Sequence, residues 1–281
     1  MILVFGSTGQ VASELRGCLP DGRFLSRADA DLRDPASLAL AIESIRPDAV
    51  INAAAYTAVD RAEDDRDLAA AVNASAPAAM GRACAAIGIP LVHLSTDYVF
   101  GGQGTSPHRV RDPIGPLNVY GQTKAAGEQA VRDSGATHAI LRTSWVFSRH
   151  GNNFVKSMVA LSQKRDELRI VEDQVGGPTP AGAIAQACVT IARALQSQPH
   201  LSGTYHFSGA PDVNWADFAR AIFAESGEET TVIGIPTREY PTPAKRPLNS
   251  RLDCSDLANF GLDRPDWRAT LPSILNSLDH T

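Results

Sequence analysis

Short apolar runs recur along the first half of the chain, and longer segments rich in alanine, leucine and charge separate them. ILVF (2–5), FL near 24, AVIN (49–52), PLVHLS (90–95) and HAILRTSW (138–145) are largely apolar on both faces, which predicts strands buried on both sides. Residues 11–19, 35–45, 68–87 and 119–133 lie between them and are long enough to cross over a sheet as helices. Asp34 before Pro35 makes a helix start, with the aspartate as N-cap and the proline at the first helical position. The GIP of 88–90 closes one helix and opens the fourth strand. This rhythm predicts an α/β protein with a doubly wound parallel sheet of the Rossmann type.

Past about residue 150 the rhythm loosens. GGPTPAG (176–182), GAPDVNW (209–215) and EYPTPAKRPLNSR (239–251) concentrate prolines and glycines and suggest a smaller lobe threaded through long loops. The expected division is a dinucleotide-binding domain over 1–150 and a mainly substrate-binding lobe over 151–281, with some segments returning to the first domain.

Composition narrows the partners. At 281 residues the chain can hold one large core with an elaboration, and 43% hydrophobic against 20% charged residues is ordinary for a soluble protein. A formal charge of −5 gives no attraction to a phosphate backbone or an anionic membrane, so neither nucleic acid nor membrane is expected as a partner. No apolar run is long enough for a signal-peptide core or a membrane span, which reads as a cytoplasmic protein. Cys18, Cys84, Cys188 and Cys254 form no CxxC and read as small buried hydrophobes.

The first strand runs directly into Gly6-Ser7-Thr8-Gly9-Gln10-Val11-Ala12, and a helix follows. Glycines at such a turn allow a sharp reversal and let backbone amides meet a pyrophosphate at the positive end of the helix. The spacing is GxxGxxA, with Ala12 small enough for close packing. At the end of the second strand Arg27 favours NADP, while Asp31 keeps NAD open. NAAAYTAVD (52–60) ends the third strand in small residues that can line the cofactor.

The chemistry converges downstream. Strand four ends in Ser95-Thr96-Asp97-Tyr98, and Tyr120-Gly121-Gln122-Thr123-Lys124 opens a later helix, which puts Tyr120 and Lys124 one turn apart on one face. An ammonium near the phenol is expected to pull the tyrosine from ~10 toward the working range, and Thr96 to bind the reacting oxygen. A YxxxK alone means little; beside a glycine turn and a strand-end threonine it gains meaning. His93 and His138 read as core histidines. Trp145, at the end of strand five, reads equally as a stacking surface or as packing, and Trp215 and Trp267 carry no positional argument. Lys245-Arg246 could neutralise a diphosphate, though an exposed loop charge is the simpler reading from the residues alone.

GxxGQ, NAAAxTxVD, STDYVF, PLNVYGxTK, RTSWVF, GNNF and YPTPAxRPxNSRL, spread from Met1 to about Asp253, together resemble the dTDP-4-dehydrorhamnose reductases, extended short-chain dehydrogenase/reductases. The resemblance implies Thr96, Tyr120 and Lys124 as a catalytic triad, with Gln10-Val11, Asp31-Leu32 and Ala54-Ala55-Tyr56 on the dinucleotide beside Gly6, Gly9 and Arg27. It implies Asp97 and Trp145 on a dTDP-sugar and Arg246 in a C-terminal sugar-nucleotide lobe. The reaction implied is reduction by NADPH or NADH of the 4-keto group of a 6-deoxy sugar, in dTDP-rhamnose and cell-surface polysaccharide biosynthesis. Some members hold magnesium between the subunits of a homodimer with acidic side chains. Glu14 matches one of these, but Gly182 stands where a second is expected, so the chain lacks part of that set and no metal ligand is assigned.

Two alternatives accompany this reading. A nucleotide-sugar dehydratase of the same fold carries an aspartate-glutamate pair after the threonine, whereas Asp97 is followed here by Tyr98; an epimerase retains its cofactor through the cycle. A non-catalytic, cofactor-binding regulatory subunit would be expected to lose part of the triad, and all three residues are present.

Overall fold

The computed structural model describes residues 1–278. The first half alternates β1 (Ile2–Phe5), α1 (Gln10–Cys18), β2 (Arg23–Leu25), α2 (Pro35–Ile45), β3 (Ala49–Asn52), α3 (Arg66–Ala70), α4 (Ala76–Ile87), β4 (Leu91–Thr96), α5 (Val119–Asp133) and β5 (His138–Thr143). The second half follows with β6 (Val146–Phe147), α6 (Phe154–Ser162), β7 (Glu167–Val171), β8 (Val175–Gly176), β9 (Thr179–Pro180), α7 (Ala181–Ser197) and β10 (Gly203–His206). It ends with β11 (Val213–Asn214), α8 (Trp215–Ser226), β12 (Thr231–Ile235), β13 (Asn249–Ser250) and α9 (Trp267–Leu278).

Six strands form one parallel sheet in the order β10-β5-β4-β3-β1-β2. Its strands are apolar on both faces because both are covered. Ile2, Val4, Ile51 and Val92 pack with Val11 and Leu15 of α1 and Ile184 and Ile191 of α7. Leu3, Phe5, Val50 and Leu91 pack with Leu38 and Ile42 of α2, Met80 and Cys84 of α4, and Val131 of α5. The chain reverses direction of sheet growth between β1 and β3, the switch point where ligands bind beyond the carboxyl ends of strands in open α/β sheets.

The expected helix over 68–87 is interrupted. Residues Ala71–Ser75 form a π turn between α3 and α4. Pro77 has no amide to give to the carbonyl four residues back, that of Asn73, and wide turns of this kind accommodate such a loss. The Asn73 side chain is used instead, accepting from the Tyr56 amide at 2.9 Å and donating to Thr123 of α5 at 3.1 Å.

The sixth strand has no counterpart among the strands read from sequence. GTYH is only half apolar, and β10 lies at the sheet edge with β5 as its partner, so the pattern there is weak. A separate core belongs to the second half of the chain. Phe147, Met158, Leu168, Phe218, Ile222, Trp267 and Leu271 pack together from β6, α6, β7, α8 and α9, and Val232 of β12, the parallel partner of β7, packs against them. Cys84, Cys188 and Cys254 are buried and Cys18 half-buried, and all four are free thiols. No helix among the described residues is long and apolar enough to cross a membrane.

Candidate active site

β4 delivers Thr96 and Asp97 to the carboxyl edge of the sheet, where a 3-10 turn, Asp97–Val99, begins. Thr96 Oγ1 accepts from the Tyr98 amide at 3.2 Å and donates to Asp97 Oδ1 at 3.0 Å. Asp97 Oδ2 is buried with no hydrogen-bond partner among the described residues. Burial raises the Asp97 carboxyl to about 6, against the hydroxyls of Ser250 and Thr96. A carboxyl poised there can give or take a hydrogen bond at neutral pH.

α5 begins with a designed-in close approach. Asn118 caps it, its Oδ1 accepting from the Gly121 amide at 2.8 Å while its Nδ2 donates to the Lys245 carbonyl at 2.7 Å. Gly121 is required by space: a Cβ there would lie 2.2 Å from the Tyr98 carbonyl oxygen. The two contacts seat the first turn of α5 against the turn after β4, and the Tyr98 and Tyr120 rings meet edge to face at 5.6 Å.

The phenol does not behave as its spacing to lysine predicts. Burial pushes Tyr120 up to about 12, although the residue as a whole is only half-buried, and the Thr96 hydrogen bond only partly opposes this. The lysine is engaged elsewhere. Lys124 Nζ donates to the Leu94 carbonyl at 2.6 Å and lies 3.4 Å from His93 Nε2. Its own ionisation is lowered to about 8 by burial, with Glu128 pulling the other way. Tyr120 therefore holds its proton at neutral pH, and Lys124 holds its own loosely.

The glycine turn faces the same sheet edge. Gly6 has φ +110, a left-handed conformation that side chains rarely adopt, and a Cβ there would sit 3.3 Å from Ala53 and Ala54 at the end of β3. α1 starts at Gly9 with no side chain capping its amides. The Gln10 side chain is turned away to the second half of the chain, its Oε1 accepting from Asn153 at 3.0 Å and Ser148 at 3.2 Å, which leaves the backbone of Gln10-Val11 as the group available to a phosphate.

Sequence profiles and related proteins agree on this chain. The profile of the RmlD substrate binding domain matches residues 1–280. A dTDP-4-dehydrorhamnose reductase of Sinorhizobium fredii is 44% identical over 99% of this chain and 97% of its own length. That of Escherichia coli K12 is 40% identical with the same coverage. The chain belongs to the dTDP-4-dehydrorhamnose reductase family. Among solved structures, the reductase of Clostridium acetobutylicum superposes with a TM-score of 0.91 at 33% identity, covering 99% of both chains. The Bacillus anthracis reductase, solved in complex with NADP, gives 0.91 at 34% identity and 98% of both chains. The Bordetella bronchiseptica enzyme WbmH, solved with NAD+, shares the fold at 18% identity and a TM-score of 0.80.

The family's remaining positions fall into place unevenly. Asp31 is gripped by Arg33, which donates at 2.6 and 2.9 Å, and only grazed by Arg27 at 3.4 Å; the Arg33 contacts hold its carboxyl well below the usual range. Arg33 escaped the sequence reading because the selecting arginine is sought at the strand end and not two residues past the acid. Leu32 packs against the core beneath α2 and α4. Ala54 and Ala55 are half-buried at the β3 edge, and Tyr56, also half-buried, gives its hydroxyl to Asp65 at 2.6 Å.

At the end of β5, Trp145 takes φ +49, a strained conformation for a non-glycine residue, and stacks on Trp215 with ring centroids 3.5 Å apart. Trp215, for which sequence offered no argument, is held by its Nε1 donating to Gln174 at 3.2 Å. Arg246 is ion-paired with Asp60 at 2.7 Å and close to Tyr98, so it ties the loop after β3 to the 240–250 segment. A diphosphate approaching Arg246 has Asp60 as a competitor.

The magnesium set of some family members does not fit. Glu14 and position 182 are neighbours, since a Cβ on Gly182 would lie 3.6 Å from Glu14 Oε2. Glycine brings no carboxylate, however, and the side chain facing Glu14 is His150 at 3.7 Å. Among the described residues no three His, Cys, Asp or Glu side chains converge as a metal site.

Proposed function

We propose that this chain reduces the 4-keto group of dTDP-4-dehydro-6-deoxy-L-mannose to give dTDP-L-rhamnose, taking hydride from NADPH or NADH. What carries the reading is the cluster of Thr96, Asp97, Tyr120 and Lys124 on the sheet edge that also bears the uncapped end of α1. The residues fit a dinucleotide: the Gly6 turn has a left-handed backbone packed tightly against Ala53 and Ala54, and the amides of Gln10-Val11 are unopposed by any capping side chain. Gly6, Gly9, Gln10, Val11, Ala54, Ala55 and Tyr56 would hold it at the switch point, Arg27, Asp31, Leu32 and Arg33 its adenosine ribose, and Lys124 its nicotinamide side. The bound cofactor supplies the hydride.

Tyr120 donates its proton to the carbonyl oxygen as that oxygen becomes an alkoxide. A phenol raised to about 12 keeps its proton until such a base forms beside it, which suits reduction. Thr96 orients the oxygen and stabilises its developing charge, and Lys124 restores the proton to Tyr120. Asp97, with one buried oxygen unpartnered, binds a sugar hydroxyl, and the Trp145 face supports the ring. Residues 151–278 supply most of the substrate side, except for α7 and β10.

The test mixes purified protein with the 4-keto-6-deoxy-L-sugar nucleotide and each reduced cofactor and follows the nicotinamide absorbance. One cofactor consumed per sugar reduced is expected. No oxidation with either cofactor overturns the proposal, and conversion of sugar without net oxidation points to a cofactor-retaining epimerase.

A further inference from the structure

Beneath Lys124 lies a line of buried polar groups that the reaction, as described, does not use. Asn52 at the end of β3 stands beside His93 in the parallel register of β3 and β4, at 1% and 0% exposure. Asn52 Nδ2 is 3.1 Å from His93 Nδ1, and His93 Nε2 is 3.4 Å from Lys124 Nζ.

The direction of hydrogen bonding along this line is set at its far end. The Ala54 amide can only donate, so the Asn52 atom it meets at 3.2 Å is the oxygen, and the Asn52 amino group turns to the imidazole. Nδ1 of His93 therefore accepts. The ring is neutral, because burial, with Lys124 and His138 in support, holds its ionisation well below the ordinary value. Its one proton then sits on Nε2, facing Lys124. An N–H directed at an ammonium is repelled, whereas an N–H directed at an amine makes a hydrogen bond.

We infer that His93, oriented by Asn52, is a positioning residue for Lys124, presenting an N–H that favours the lysine's amine form and so keeps Lys124 ready to surrender its proton. The inference rests on the reduction proposed above and adds a residue to it. When Tyr120 gives its proton to the substrate oxygen, a phenolate is left. The Lys124 ammonium transfers one proton to it, Tyr120 regains its O–H, and the resulting amine accepts from His93 Nε2–H. A proton from solvent then restores the ammonium.

The other groups around the lysine do not supply this bias. Glu128, one turn later on α5, favours the ammonium and is itself held by Arg142 at 2.6 Å and by Arg132 at 3.3 Å. Glu63 spends Oε1 on the Val119 amide at 2.9 Å. Asp97, Tyr98 and Tyr120 line the turn after β4 and the start of α5, His138 begins β5, and the segment 71–75 faces α5 through uncharged Asn73.

The chain has four lysines, Lys124, Lys156, Lys164 and Lys245, so carbon-13 at lysine Cε gives a readable titration in the full protein, and nitrogen-15 in histidine reports the tautomer. Expected are an Nε2–H tautomer for His93 and a Lys124 midpoint near the value of about 8. In H93F, whose ring turns a C–H edge to the lysine, the midpoint should rise by about half a unit or more, roughly threefold in proton affinity. H93Q, which keeps an N–H, should stay closer to the parent. The alkaline limb of kcat should move with the midpoint, whereas a merely structural histidine lowers kcat and leaves the limb in place. An Nδ1–H tautomer in the parent, or an H93F midpoint at or below the parent's, overturns the inference, and the tautomer decides it even if H93F does not fold. Absence of cofactor oxidation by the parent would instead strike the proposed reduction, since both resonance readouts are independent of turnover.

Discussion

Two helices start at the same edge of the sheet and end their first turns in opposite ways. α1 opens at Gly9 with no side chain on its amides, while α5 opens at Asn118, whose side chain takes the Gly121 amide. A bare N-terminus keeps a partial positive charge for an anionic ligand; a capped one has spent it on fixing its own geometry. On the proposed reading, the first helix binds an anion and the second holds Tyr120 still. The comparison predicts that changes at α1 act on cofactor affinity and changes at α5 on turnover.

The largest separation should come from Tyr120→Phe. Removing the proton donor is expected to lower kcat by roughly 10²–10⁴-fold, the range for loss of a positioned acid. Dinucleotide affinity, measured by fluorescence titration, should change by less than about threefold, which is under 1 kcal/mol. A variant that reduces the keto sugar as fast as its parent would remove Tyr120 from the chemistry and with it the contrast between the two helices.

Gly9→Asp reverses the character of α1. A Cβ at Gly9 meets only the Ala53 carbonyl oxygen, at 4.0 Å, so the side chain has room. An aspartate N-cap should stabilise the helix by roughly a few tenths of a kcal/mol over glycine, while its carboxylate occupies the amides and repels a pyrophosphate. Cofactor affinity is expected to fall roughly 10- to 100-fold while thermal stability rises or holds. Equal affinity in the variant would mean that the α1 end is no anion site.

The same contrast explains what could be read from the chain in advance. Strands apolar on both faces, helices with capping signals and the GxxGxxA turn all announce themselves locally, and α2, β3 and α5 begin and end where the pattern places them. The placement of Thr96, Tyr120 and Lys124 at one edge was legible because strand ends and helix starts of a parallel sheet share that edge. Contacts across the chain were not. Trp215 on Trp145, Arg246 on Asp60 and Gln10 on Asn153 join residues separated by dozens of positions, and no local pattern encodes such pairs. The ionisation of Tyr120 was misjudged for a related reason. One-turn spacing to Lys124 suggested an ammonium beside the phenol, but β4 offers that ammonium the Leu94 carbonyl, and burial then governs the phenol. Asn118 was omitted despite a local signal, an asparagine directly before a helical run, which Asn153 and Asn214 share.

The smallest effect tests whether that asparagine positions or merely stabilises. Asn118→Ala removes both the cap on Gly121 and the donor to the Lys245 carbonyl, and should cost about 1 kcal/mol, or about 2–4 °C in Tm for a chain of this size. Turnover should fall several-fold with cofactor affinity unchanged, because only the seat of Tyr120 loosens. Asn118→Asp keeps an acceptor for the Gly121 amide but offers the Lys245 carbonyl no donor, so it separates the two bonds. If the aspartate variant recovers both stability and kcat, the cap alone seats the helix. If it recovers stability without kcat, the tie from α5 to the 240–250 segment is what sets Tyr120 against the sugar side of the site, and the capped helix is an element shared by both halves of the chain.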